Sequence, residues 1–273
     1  AIPLSVAMML DTLSMSIDKI YISTLRPTEE YAVFVNGAME IPFIGSLAVA
    51  VGTVMLPELV NAFKKNDAEE ALNLWKLSIR RLSFVVLPLF FILLTFSREL
   101  VLLLYSDKFA DSVHPFRIYL FLLPGRAIFF GLLLRSAGCP GLIVRRAILG
   151  LIINLVITYP FIIWFGTNGA ALATIFSFWV FVIPFSTMLC IKVTATTVKE
   201  IFPWAYMGGL LALGATGCAI TFLLEGALAG FPTLTVLVLR ALFFCAFFTG
   251  GLWVFYRSDL IQFLNFFRKA ITF

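Results

Sequence analysis

The chain has 273 residues, 61% of them hydrophobic and 13% charged, with a mean hydropathy of +1.03. That balance excludes a soluble globular domain and predicts a polytopic helical membrane protein, because phenylalanine-rich runs such as LPLFFILLTF and RALFFCAFF lack the alternation of a membrane barrel. The net charge of +5 resides in short loops between apolar runs, which fits orientation in a membrane better than nucleic acid, and Cys139, Cys190, Cys218 and Cys245 are too scattered for a metal or disulfide framework.

Apolar runs of about 20 residues divide the chain into spans at 2–24, 32–56, 82–104, 115–134, 147–165, 170–191, 204–224 and 233–255, about eight in all. Lys64, Lys65, Lys76, Arg80, Arg81, Arg135, Arg145, Arg146, Lys192, Lys199, Arg257, Arg268 and Lys269 then fall on one side. The other side carries little more than Arg26, Glu29, Glu30, Lys108, Asp111 and Glu225. The positive-inside rule therefore places both ends of this multi-pass chain in the cytoplasm. Entry into a span directly after Ala1, with no basic leader, is the pattern of the later part of a longer protein.

The first span is unusually polar. Asp11, Ser14, Asp18 and Tyr21 recur at i, i+3, i+7 and i+10, one stripe of a helix that must face protein or water. In the second span Asn36 and Glu40 are one turn apart, just before Pro42. Residues 61–81 form an amphipathic cytoplasmic connector: Asp67 and Glu70 have capping-box spacing, and Leu72, Trp75, Ile79 and Leu82 make one apolar face expected to lie on the membrane.

The fourth span carries Arg126 about a dozen residues into an apolar run, behind Pro124 and Gly125. An arginine at such depth costs about 2.5–3.5 kcal/mol and therefore faces a carboxylate, a cavity or the protein interior. A kink is expected where it sits. Asp11, Asp18 and Glu40 supply carboxylates at comparable depth, either as ion-pair partners or as exchangers of H⁺ or Na⁺. Gly138, Pro140 and Gly141 mark a tight turn, and Gly169 and Ala173 have the small-xxx-small spacing of closely packed membrane helices. Pro42, Pro88, Pro124, Pro160 and Pro184 fall within spans, as they do where membrane helices bend around a path. Arg240 lies near enough to a span end to snorkel, and His114 reads as an interfacial residue.

The ordered series EIPFIGSLAVAVGTVMLPELVNAFKKNDAEEALNLWKLSIRR, LPLFFILLTFSRELVLLLYSDKFADSV, FRIYLFLLPGRAIFFGLLLRSAGCP, NLVITYPFIIWFGTNGAALAT and FPW resembles the polysaccharide and oligosaccharide flippases of the multidrug, oligosaccharidyl-lipid and polysaccharide exporter superfamily. The resemblance covers about residues 3–204. It implies a C-terminal six-helix transport lobe at 1–191, the second lobe of a two-lobed fold, and an additional helix pair with a cytoplasmic tail at 192–273. It also implies alternating access that moves an undecaprenyl-diphosphate-linked oligosaccharide across a bacterial inner membrane for cell-surface polysaccharide synthesis. The partners implied are that lipid-linked oligosaccharide, membrane lipids, H⁺ or Na⁺ as coupling ion, and the N-terminal lobe of the same protein, with no cofactor and no nucleic acid.

Within that resemblance Arg126 and Asn36 are the candidates for the diphosphate or cavity site, since arginine suits phosphate, and Asp11, Asp18 and Glu40 are the candidates for coupling or ion pairing. A lipid II flippase and a cation-coupled multidrug exporter are the nearest alternatives; a buried arginine disfavours a cationic drug. A membrane-embedded glycosyltransferase or acyltransferase is more distant, because the chain shows neither loop acid motifs nor an intramembrane histidine. A non-enzyme is expected.

Overall fold

The computed structural model describes residues 2–227 and 233–261. Arg268 and Lys269, two of the cations used to orient the chain, lie outside the described residues. The described chain is helical and membrane-spanning. In order, its helices are α1 (Ile2–Ser14), α2 (Ile17–Leu25), α3 (Thr28–Gly37), α4 (Pro42–Lys64), α5 (Ala68–Thr95) and α6 (Ser97–Tyr105). After a 3₁₀ turn at Asp107–Ser112 follow α7 (Val113–Leu120), α8 (Leu123–Arg126), α9 (Phe130–Ser136), α10 (Pro140–Phe165) and α11 (Thr167–Phe176). A π-helical turn at Ser177–Val182 leads to α12 (Ile183–Thr194), α13 (Val198–Ile201), α14 (Trp204–Ala227) and α15 (Thr233–Phe255).

Seven segments among the described residues are long and apolar enough to cross a membrane, from Phe43–Lys64 to Thr235–Phe255. The sequence pattern predicts about eight; the difference is the first, which is not one helix. α1 ends at Ser14 and α2 starts at Ile17, and the Ser14 carbonyl at the break accepts a hydrogen bond from Asn154 Nδ2 at 2.7 Å. A side-chain donor there meets part of the need for partners that a broken helix creates in lipid. The expected second span is likewise divided at Ala38–Ile41, so Asn36 and Glu40 are not one turn apart on a single helix. Pro42 opens α4, a position where its missing N–H costs nothing.

The 61–81 stretch shows the amphipathic face read from the sequence, but that face is covered by protein. Asp67 caps α5 by accepting from Glu70 N at 2.9 Å, and the helix then runs without interruption to Thr95. Leu72, Trp75, Ile79 and Leu82 are buried, and Trp75 Nε1 donates to the Ile201 carbonyl of α13 at 3.1 Å. An indole satisfied in this way favours a packed position over a membrane surface.

Pro42 and Pro124 begin helices, Pro184 follows the π turn within the continuous segment Thr167–Thr194, and Pro88 and Pro160 lie inside α5 and α10. The α10–α11 hairpin closes tightly: a Cβ at Gly169 would strike the Phe161 carbonyl, and Ala170 and Ala173 are fully buried beside it. The small-residue spacing thus reports a real close approach. Three apolar clusters fill the bundle, one around Trp75, Met55 and Leu133, one around Phe116, Leu87 and Phe244, and one around Ile22, Phe34 and Ile162. α14 packs against both α5 and α15, which ties these two helices to the bundle.

Candidate functional site

Three helix breaks meet at Arg126. Its guanidinium closes α8 just before the non-helical Ala127–Phe129, and it reaches Glu40 in the α3–α4 break and Met15 in the α1–α2 break. Nη2 lies 3.1 Å from Glu40 Oε1 and 3.1 Å from Met15 Sδ, and Nη1 lies 3.4 Å from Glu40 Oε2. The two parallel N–O contacts are the fork geometry in which arginine binds a carboxylate or phosphate. The side chains remain 25% and 43% exposed, so the pair is accessible from one side.

Local sequence explains why Arg126 stands at a break. Pro124 removes the donor that Leu120 would meet, and the chain turns at Phe121–Leu122. The carbonyl of Phe121 is taken up from outside the helix by Trp179 Nε1, at 2.8 Å. Trp179 belongs to the π turn, and its neighbour Phe178 fills the notch at Gly125, where a Cβ would collide with the ring and come within 3.3 Å of Ile183 Cδ1. Single π turns are frequent at functional sites; here one grips the segment that presents Arg126.

Beside the pair is a cavity of about 20 Å³, lined by Met39, Glu40, Ile44, Tyr119, Leu122 and Arg126. That is space for roughly one water molecule, so a larger anion requires Arg126 and Glu40 to part.

The remaining candidates are placed elsewhere. Asp11 pairs with Arg146 of α10, so Arg146 is a partly buried helix residue and not simply a loop charge. Asp18 is fully buried and accepts from Lys19 N at 2.7 Å and from the Thr174 hydroxyl at 3.2 Å. Asn36 lies on α3, half-buried, and makes no side-chain hydrogen bond among the described residues. The polar stripe of the first span does face protein: Asp11, Ser14 and Tyr21 contact Arg146, Asn154 and the Leu155 carbonyl of α10, while Asp18 turns to α11.

Sequence reasoning passed over Asn154 and underweighted Arg240. Asn154 is the one asparagine of α10, set in the apolar run 147–157, and is 3% exposed; that isolation was its signal. Arg240 is also 3% exposed and does not snorkel: Nη1 lies 3.3 Å from Glu99 Oε1 and Nη2 lies 3.1 Å from Glu225 Oε2, with the guanidinium 5.6 Å from the Phe96 ring centre. Two carboxylates from other helices make burial cheaper than reaching water.

Broken membrane helices meeting at a paired, half-accessible charge form the kind of site found in membrane transporters. Residues 1–114 match the family described as polysaccharide biosynthesis protein. The chain is also 28% identical, over 192 residues, to the probable low-salt glycan biosynthesis flippase Agl15 of Haloferax volcanii. That alignment takes in 68% of this chain and 37% of the relative, so the chain spans well under half the length of the protein it matches. The chain is thus similar to polysaccharide flippases, as the sequence pattern indicates.

Proposed function

We propose that this chain is part of a flippase that moves a lipid-linked oligosaccharide, carried on a polyprenyl diphosphate such as undecaprenyl diphosphate, across a bacterial inner membrane by alternating access. The observation that carries the reading is the bidentate Arg126–Glu40 pair at the meeting of three helix breaks. Arg126 is the donor for the diphosphate, and Glu40 is the counter-ion that occupies its fork between substrates. Breaks beside both partners make the pair separable, since Glu40 lies on the short non-helical segment between α3 and α4 and Arg126 ends α8 next to the non-helical 127–129.

In this reading residues 1–191 form the second transport lobe and 192–273 an added pair and tail, with both ends of the chain cytoplasmic. A further lobe of the same protein completes the cavity, and Asn36 lines the wider substrate path. Asp18, buried against Thr174, is the carboxylate best placed to exchange H⁺ or Na⁺, while Asp11 is held by Arg146.

The test uses cells in which the full-length gene is deleted and then restored as wild type, Arg126→Ala or Arg126→Lys at matched membrane abundance. Lipid-linked oligosaccharide and surface glycan are followed together. Deletion should trap lipid-linked oligosaccharide on the inner leaflet, and Arg126→Ala should leave it trapped while Arg126→Lys recovers a fraction of export. Surface glycan that survives deletion unchanged rejects the flippase; full recovery by Arg126→Ala rejects the role of Arg126.

A further inference from the structure

Tyr119 lies in the same cavity as Arg126 and has no assigned task. Its side chain is 6% exposed, yet its hydroxyl has no hydrogen-bond partner among the described residues. Buried hydroxyls are nearly always paired, and one left without a partner at a cavity wall invites a ligand. The ring is fixed edge-on against Phe34, with centroids 6.3 Å apart and planes at 80°, so the direction of the hydroxyl is set by packing. Tyr119 precedes Arg126 by seven residues, two helical turns, across the Phe121–Leu122 turn that Trp179 holds from the π segment.

We propose that the Tyr119 hydroxyl is a second donor of the anion site: when Glu40 leaves the Arg126 fork, a phosphate oxygen accepts from Arg126 and a further oxygen of the same diphosphate accepts from Tyr119. The inference rests on the reading of Arg126 as a diphosphate donor. The chemistry fits, because a phenol has one proton to give and a phosphate has only acceptors. The resting pair satisfies Arg126 with Glu40 and leaves Tyr119 unsatisfied, so the ligand gains a partner that the carboxylate does not provide. Without a ligand the hydroxyl adds nothing to stability, and this sets the test apart from an ordinary structural tyrosine.

The experiment uses the purified full-length protein in detergent, with inorganic pyrophosphate as the probe and the thermal midpoint as the readout, for wild type, Tyr119→Phe and Arg126→Ala. Tyr119→Phe, which removes one oxygen, should melt at or above the wild-type temperature without ligand. It should need about tenfold more pyrophosphate for the same upward shift, the factor expected for one hydrogen bond to a charged group. Arg126→Ala should abolish the shift. A Tyr119→Phe protein that melts lower without pyrophosphate, or that responds to pyrophosphate as wild type does, overturns the inference, as does a wild type that shows no shift. If Tyr119→Phe weakens the shift while surface glycan survives deletion of the gene unchanged, the anion site stands and the flippase reading falls.

Discussion

Arg126 and Glu40 stand 86 residues apart in sequence and meet through two nitrogen–oxygen contacts, each side chain at a point where its helix has stopped. Pairing neutralises both charges in apolar surroundings, while the partial exposure of the pair limits its worth to about 1 kcal/mol. A pair so modest is stable enough to persist at rest and weak enough to exchange.

Charge exchange separates the pair from the position of the cation. Each single reversal, Arg126→Glu or Glu40→Arg, should lower the melting temperature of the full-length protein in detergent by a few degrees, the shift expected for about 1 kcal/mol. The double exchange should melt near wild type yet fail to export glycan, because the donor has left the α8 break. Wild-type export from the double exchange would show that only neutrality matters there.

Asp18→Asn should fold as well as wild type, since the amide oxygen still accepts from Lys19 N, the amide nitrogen replaces the second oxygen and donates to the Thr174 hydroxyl, and no charge is buried. Flipping in vesicles should continue without a gradient but lose its acceleration by an imposed H⁺ or Na⁺ gradient. Equal acceleration in variant and wild type would remove Asp18 from coupling.

Arg240→Met should destabilise the protein by about 2 kcal/mol, below the range for a fully buried pair because Glu99 and Glu225 are partly exposed. Adding Glu99→Gln and Glu225→Gln should recover most of the loss, since the methionine then leaves no carboxylates without a cation. Unfolding in denaturant at matched detergent measures both. No recovery in the triple variant would mean that the arginine acts through its contact with Phe96 rather than through charge.

Asn154→Leu removes the donor to the Ser14 carbonyl and should cost about 1–3 kcal/mol, the penalty for a polar group left without a partner away from water. Amide exchange at Met15 and Ser16, in the break after α1, should quicken before that of α1 itself. Unchanged exchange at those two residues would show that the break does not depend on Asn154.

The membrane class, most of the spans and the close α10–α11 packing were legible from apolar run length and small-residue spacing, because lipid forces every span to declare itself by composition. The Arg126 break was legible too, since proline removes a donor wherever it stands. What periodicity could not give was the pairing. Asp11, Asp18 and Glu40 looked alike as partners for Arg126 at matched depth, and the choice of Glu40 follows from backbone breaks at Ser14 and Ala38 that no proline or glycine marks at Met15. Arg240 was misread for a related reason: distance to a span end says whether a side chain can reach water, but not whether carboxylates on α6 and α14 hold it inside.

The Arg240 bridge also bears on the order in which the chain is made. Glu99 on α6 and Glu225 on α14 are both synthesised before α15 brings their cation. Until that helix inserts, two acids at one edge of the bundle have no counter-charge, so a nascent chain carrying only the first fourteen helices holds an unneutralised site. Insertion of α15 is therefore the step that neutralises the two acids, and the α14–α15 pair closes that edge of the bundle only when both of its helices are in place.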